Sequence, residues 1–279
     1  MSAGRLRAGA TFWLLEAPDS LVQQSRREPD GAGLGWFDER GAPELYKRPI
    51  AAYEDREFAR DARTVSSRTF IAHVRFASGS ALTMQNTHPF EQQGRLFAHN
   101  GVIEDLPALE QRIGEGMRGV AGETDSERYF ALITKEIAEH GGDVGQGLSA
   151  AARWIAQELP VFAINCVLAL PDGLWALRYP ETHELYVLER GLGSELRHES
   201  SYGSRVRSDH GRAHPLVVIA SERMDDDPGW RLLDSGELLH VDADLGVQSE
   251  QVIDAPPPQL LTLQDLSAQA QASQAARQA

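Results

Sequence analysis

The chain has 279 residues, 27 of them basic and 41 acidic, for a formal net charge of −14; that length suffices for one large domain or two small ones. Such a charge repels phosphate backbones and anionic lipid, and no Lys/Arg cluster offsets it, so nucleic acid is not an expected partner. A single cysteine rules out an intrachain disulfide framework and fits a reducing compartment. No apolar run nears the ~18 residues of a membrane span, and the first 13 residues lack the apolar core of a signal peptide. The expectation is a cytoplasmic protein without a membrane partner.

In chain order, residues 11–27 carry Phe12, Leu15, Leu21 and Val22 at roughly helical spacing broken by Pro18, which predicts one kinked helix or two short ones. The glycine-dense residues 29–50, with Trp36, Phe37, Leu45 and Tyr46, read as strand, turn and strand. TFIAHVRFA reads as a buried strand with Phe70, Ala72, Val74 and Phe76 on one face and Ile71, His73 and Arg75 on the other. RLFAHNGVI is a strand ending in Asn-Gly, and a short helix follows over residues 106–113. Residues 125–140 form a helix patterned by Tyr129, Phe130, Leu132, Ile133 and Ile137 and stopped by Gly141-Gly142; another runs over 144–158. The second half returns to strands in VFAINCVLAL, LWALRYP, ELYVLER, PLVVIAS and ELLHVD. Between them, residues 191–214 read as a long loop, functional or locally disordered. From Ala255 a proline spacer and Ala/Gln-rich sequence predict a loosely ordered tail over 255–279, leaving residues 1–254 as the domain. Strands flanking a central helical pair suggest two packed sheets with helices outside.

Four polar clusters between His73 and Glu127 stand out. In HVRFASGS, Arg75 on a buried strand face needs a partner. That partner is either an internal carboxylate or the carboxylate of a ligand, which guanidinium geometry suits. In FAHNGVI, Asn-Gly is either a hairpin turn or a side-chain amide and a backbone N–H presented to a developing oxyanion. In GETDSE, Thr124 and Glu127 have the spacing of a capping box, and Asp125 in the first turn is favoured by the helix dipole whether or not it has a further role. NTHPF is a polar turn before proline with His88 in the loop or in a site. Cys166 shares a strand face with Phe162, Ile164 and Leu168 and reads as a core thiol. The nine scattered histidines show no HExxH spacing, so no metal site is expected.

Taken in order, REPDGAGLGWF, HVRFASGS, NTHPF, HNG and TDSE resemble the class II glutamine amidotransferases, which belong to the N-terminal-nucleophile hydrolases. The likeness is to the compact stand-alone branch without an attached synthase domain, and it implies an α+β fold, a four-layer αββα sandwich. It also implies that Arg75 binds the α-carboxylate of glutamine and Asp125 its α-amino group. Asn100 and the Gly101 N–H would form the oxyanion hole, and Ser78, Gly79 and His88 would line the pocket. The ligand would be glutamine or a γ-glutamyl small molecule, with no metal or organic cofactor, and the protein partner a synthase or a second copy in a homodimer.

Family members begin Met-Cys followed by an apolar strand, the cysteine thiolate attacking the amide. This chain begins MSAGRLRAG. Met removal would expose Ser2, but Ser2-Ala3-Gly4-Arg5 does not read as a buried strand able to hold a nucleophile. The expectation is therefore that the sequence begins downstream of a cysteine-bearing strand; the alternative is a glutamine pocket kept without chemistry, as in a sensor or partner subunit. A third reading stays catalytic, with a γ-glutamyl conjugate rather than free glutamine as substrate.

Overall fold

The computed structural model describes residues 1–77, 79–191, 196–199, 205–208 and 215–275. Its first sheet has six strands in the order β16-β15-β9-β8-β7-β6. These are β6 Phe90–Gln92, β7 Arg95–Ile103, β8 Val161–Leu170, β9 Gly173–Leu177, β15 Glu237–Val241 and β16 Val247–Gln251, all paired antiparallel. The second sheet is in two parts. One is β3-β2-β5, from β2 Gly31–Phe37, β3 Pro43–Arg48 and β5 Phe70–Arg75; the other is β13-β10-β14, from β10 Tyr186–Arg190, β13 Leu216–Ala220 and β14 Arg231–Leu232.

The first residues of the chain join the two parts. Ser2 makes antiparallel bridges to Thr69 on one side and Val217 on the other. Its N–H donates to Val217 O (2.8 Å), the Val217 N–H returns to Ser2 O (2.9 Å), and Phe70 N donates to Met1 O (2.9 Å). Ser2 and Ala3 are each 1% exposed. Residues 2–5 form no strand, as the sequence reads: Ser2, though buried, makes isolated bridges, and at Gly4, with φ +62°, the chain turns out to the exposed Arg5.

Helices cover the outer faces. On the six-stranded sheet lie α4 Asp125–Glu139 and α5 Val144–Glu158, packing Phe130, Leu132, Ile133, Leu148 and Ile155 against Phe97, Ile164 and Leu168. On the other sheet lie a π-helical turn, Phe12–Glu16, α1 Leu21–Gln24 and α2 Arg56–Thr64. There Leu14, Phe58 and Ala62 meet Leu34, Phe70 and Val74. The two facing sheet surfaces bury Phe37, Ile71, Leu96 and Ala169, and further along Leu174, Val187, Val217 and Leu239. The fold is thus the four-layer αββα sandwich, and the segment with Pro18 is two short helical pieces. Among the described residues no helix is long and apolar enough to cross a membrane.

Smaller elements complete the chain: a two-stranded pairing of β1 Ala8–Gly9 with β4 Ser66–Ser67, α3 Leu106–Ile113, and a 3-10 turn Gly114–Gly119. Two expectations differ from what is found. Residues 191–214, read as a loop, contain an antiparallel hairpin of β11 Leu196–Glu199 and β12 Arg205–Ser208. Residues 255–271, read as loosely attached, follow the end of β8. Val161 exchanges hydrogen bonds with Gln259 and Leu261, and Leu266 and Ala270, the latter on α6 Ala268–Ala275, are buried against Phe162 and Ala163.

At Gly147 α5 comes so near α4 that an added Cβ would stand 2.5 Å from Ile137 Cα and N. Alanine gains about 1 kcal/mol over glycine in a helix interior, but this clash is with backbone, and overpacking costs ~1–3 kcal/mol. Gly147→Ala should therefore lower the thermal midpoint; a rise would show that the helices separate freely.

Candidate active site

Asn100 and Gly101 lie inside the β7–β8 ladder, opposite Asn165 and Ile164. They are not a hairpin turn, which removes one of the two readings of that dipeptide. Glycine is needed at 101 because an ideal Cβ there would lie 1.8 Å from Ala163 O. The Asn100 Nδ2 donates to Ser221 Oγ at 3.2 Å. Just before it, His99 reaches Ser126 Oγ (2.9 Å) through Nδ1 and Ala163 O (3.2 Å) through Nε2, which fixes its ring between β8 and α4.

Asp125 begins α4. Thr124 caps the helix by accepting from Glu127 N (3.2 Å). The return arm of the expected capping box is absent: the Glu127 carboxylate accepts instead from Ala121 N (2.9 Å) and Gly122 N (2.6 Å) and so fixes the turn ahead of the helix. Asn86 braces the same turn, accepting from Glu123 N (2.8 Å) and donating to Ala81 O (3.0 Å). Within this frame the Asp125 carboxylate accepts from Ile103 N (2.9 Å) and Ser126 N (2.8 Å). It is thereby tied to the end of β7, beside Asn100 and Gly101.

Arg75 ends β5 and is 5% exposed. Its guanidinium donates to Ser80 Oγ (2.7 Å), Ser80 O (3.4 Å) and Ala81 O (3.3 Å). No carboxylate among the described residues lies within ion-pair distance, so the internal salt bridge is not what holds it. Burial pulls its pKa down, and the fields of Asp30 and Asp125 push the other way. His88 is buried with its ring stacked on His73 at 4.2 Å between centroids. Neither of its nitrogens has a hydrogen-bond partner among the described residues.

Arg75, His88, Asn100, Gly101 and Asp125 line one cavity of about 60 Å³. Gly79 does not line it; its neighbour Ser80 does. Ser78 lies outside the described residues. His99, Ser126 and Ser80 also reach the cavity without having been singled out in the sequence. The first two adjoin Asn100 and Asp125, and that adjacency was the available signal. A larger cavity of about 160 Å³ shares His73, His99 and Asn100 with the first and is lined further by Met1 and Cys166. Burial pushes the Cys166 thiol up to about 12 and the Met1 amino group down to about 5. Ser2 lines neither cavity, its Oγ accepting from Gly4 N (3.3 Å). Among the described residues no group of three or more His, Cys, Asp or Glu is placed to hold a metal ion.

A sandwich of this kind, with an arginine, an aspartate and an Asn-Gly pair turned to one cavity, defines a class. The chain belongs to the class II glutamine amidotransferases, whose family model matches residues 19–259. Among curated relatives it is similar to the γ-glutamyl-hercynylcysteine sulfoxide hydrolase of Mycolicibacterium smegmatis, with 27% identity over 82% of this chain and 88% of that one. Among solved structures it resembles a glutamine aminotransferase class-II domain protein from Silicibacter pomeroyi. There the TM-score is 0.57 at 22% identity, covering 81% of this chain and 92% of that one. The allosteric regulatory enzyme of purine biosynthesis superposes with a TM-score of 0.64 at 19% identity, over 90% of this chain and 49% of that one. These two likenesses concern the fold.

His88 gives the site a pH signature. Burial, with His73, His99, Lys47 and Arg75 adding to it, holds its imidazole well below the ordinary value of 6.5. The native ring therefore stays neutral, while the unfolded chain takes up a proton below about pH 6.5. In that range the unfolded state binds more protons, so stability is complete above it and falls on acidification by up to about 1.4 kcal/mol per pH unit for this group. The urea midpoint should drop between pH 6.5 and 5, and drop less steeply in His88→Gln. Parallel pH profiles for the two proteins would contradict this.

Proposed function

We propose that this chain binds glutamine or a γ-glutamyl amide and supplies the pocket and oxyanion hole for hydrolysis of its side-chain amide to the free acid and ammonia or an amine, the attacking N-terminal cysteine not being among residues 1–279. The observation that carries the reading is the convergence of Arg75, Asp125, Asn100 and Gly101 on one cavity. In this reading Arg75 takes the α-carboxylate. Two of its present contacts, at 3.3 and 3.4 Å, are long for N–H···O bonds and easily exchanged. Asp125, already fixed by two backbone amides, takes the α-ammonium group. One charge of each sign orients the amino-acid end, so the side-chain amide comes to Asn100 with little freedom left to lose.

Attack on the amide carbon turns the carbonyl oxygen into an oxyanion, and the Asn100 Nδ2 and Gly101 N–H are the donors assigned to it. Fixed donors in a site shielded from water are worth more than the same bonds in bulk solvent. His88, neutral and without a hydrogen-bond partner among the described residues, lines the same pocket and offers one donor and one acceptor to the substrate. Cys166 is not the attacking group, since a thiol raised to about 12 stays protonated. In the family that role falls to an N-terminal cysteine, and residue 1 here lines the larger cavity beside Asn100. The relative from M. smegmatis, named as a γ-glutamyl hydrolase, supports amide cleavage as the reaction type.

Titration of L-glutamine into the protein tests the reading. Removing one partner of a desolvated charge pair costs ~2–5 kcal/mol, so Arg75→Ala and Asp125→Ala should each weaken binding by a factor on the order of 30 or more. Unchanged affinity in both variants would sink the proposal. Ammonia release followed in parallel separates an amidohydrolase from a protein that only binds.

A further inference from the structure

The cation and the anion of the pocket stand on separate elements: Arg75 ends β5, and Asp125 opens α4. A ligand held at both ends gains over one held at either end only if the span between the two sites is set beforehand, because a loose span must be ordered at the expense of binding. Asp125 is tied to β7 through Ile103 N. The Arg75 guanidinium rests on Ser80 and Ala81, in the segment between β5 and β6. What holds that segment therefore sets the position of the cation relative to the anion.

One side chain reaches both. Asn86, 1% exposed and not among the residues that line the cavity, uses the two ends of its amide in opposite directions. Its Nδ2 donates to Ala81 O (3.0 Å), and its Oδ1 accepts from Glu123 N (2.8 Å), two residues ahead of Asp125. The seat is tight, since a Cβ added at Gly122 would lie 2.5 Å from Asn86 Oδ1. The Ala81 carbonyl is crowded as well. Thr83 N (3.0 Å) donates to it beside Asn86, and Arg75 Nη1 comes third at 3.3 Å. A carbonyl oxygen offers two lone pairs, so Arg75 is the donor it holds least. When a carboxylate takes the guanidinium, the bonds from Thr83 and Asn86 remain and the segment keeps its place.

We infer that Asn86 is a positioning residue for the amino-acid head of the ligand. It holds the segment under Arg75 and the turn leading to Asp125 as one piece, so the α-carboxylate and α-ammonium sites keep their separation before the ligand arrives. The inference rests on the preceding reading, in which Arg75 and Asp125 take those two charges. A brace that served folding alone would leave no mark on how the two ends of a ligand cooperate.

The test titrates three ligands into the full chain, followed by NMR, which reads weak binding: L-glutamine, glutaramate, which lacks the α-amino group, and 4-aminobutanamide, which lacks the α-carboxylate. In Asn86→Ala, glutamine should lose affinity by about tenfold, the size of coupling that a shared hydrogen-bond network carries, while the single-ended ligands should change by less than about twofold. Gly122→Ala leaves Asn86 in the chain and sets a methyl group against its Oδ1. It should show the same selective loss, and it carries the test if Asn86→Ala does not fold. Equal weakening of all three ligands, or unchanged glutamine affinity in a folded variant, would overturn the inference and leave the amide-binding reading standing. If glutamine binds the unaltered protein no more tightly than the single-ended ligands, that reading falls as well.

Discussion

The arrangement depends on the passage of β8 over Gly101. The Ala163 carbonyl occupies the space that a side chain at 101 would fill, and β7 and β8 can pair there only because that side chain is missing. The same carbonyl accepts from or faces His99 Nε2, so one oxygen sets both the strand separation and the ring beside it. Ile103, two residues further on, gives its amide to Asp125, and the first turn of α4 is thereby placed relative to Asn100. A close backbone contact thus fixes the distance between the anion and the amide of the site without a direct bond between them.

How much of this was legible in the sequence differs by residue. Arg75 and His73 were placed on one strand face by alternation alone, and the structure has them both on the cavity. Asp125 was legible as a first-turn carboxylate, because the Thr124 cap and the apolar period behind it mark the helix start. The Asn-Gly pair was not decidable by itself: a tight turn and a close strand approach both call for glycine, and only the partner strand, sixty residues on, distinguishes them. Glu127 had the right spacing for a capping box and took a different pair of amides, since the turn carrying Ala121 and Gly122 folds back within its reach.

What escaped the sequence shares one cause. The bridging segment of residues 1–3 has no alternation or β-branched run to announce it; its backbone hydrogen bonds are with Arg68, Phe70 and Val217. The chamber lined by Trp13, Glu28, Cys166 and Glu222 is assembled from stretches distant in sequence, each unremarkable in its own neighbourhood. Residues 255–271 looked unattached from composition, yet a few small or aliphatic side chains, Leu266 and Ala270 among them, suffice to dock them when the receiving surface is the end of a central strand.

The bridge from Ser2 to Val217 has a kinetic consequence. Contacts between residues far apart in sequence are slow to form, because the loop entropy is lost before the contact repays it. The second sheet closes only when one end of the described chain finds a strand more than two hundred residues away. During synthesis, residues 1–3 emerge long before β13 and must wait, unpaired on one side, until it has followed. The part of the six-stranded sheet from β6 to β9, with its helices, can organise earlier, from contacts within residues 90–177, while β15 and β16 follow β13. The cavities between the sheets are accordingly among the last parts of the molecule to take shape.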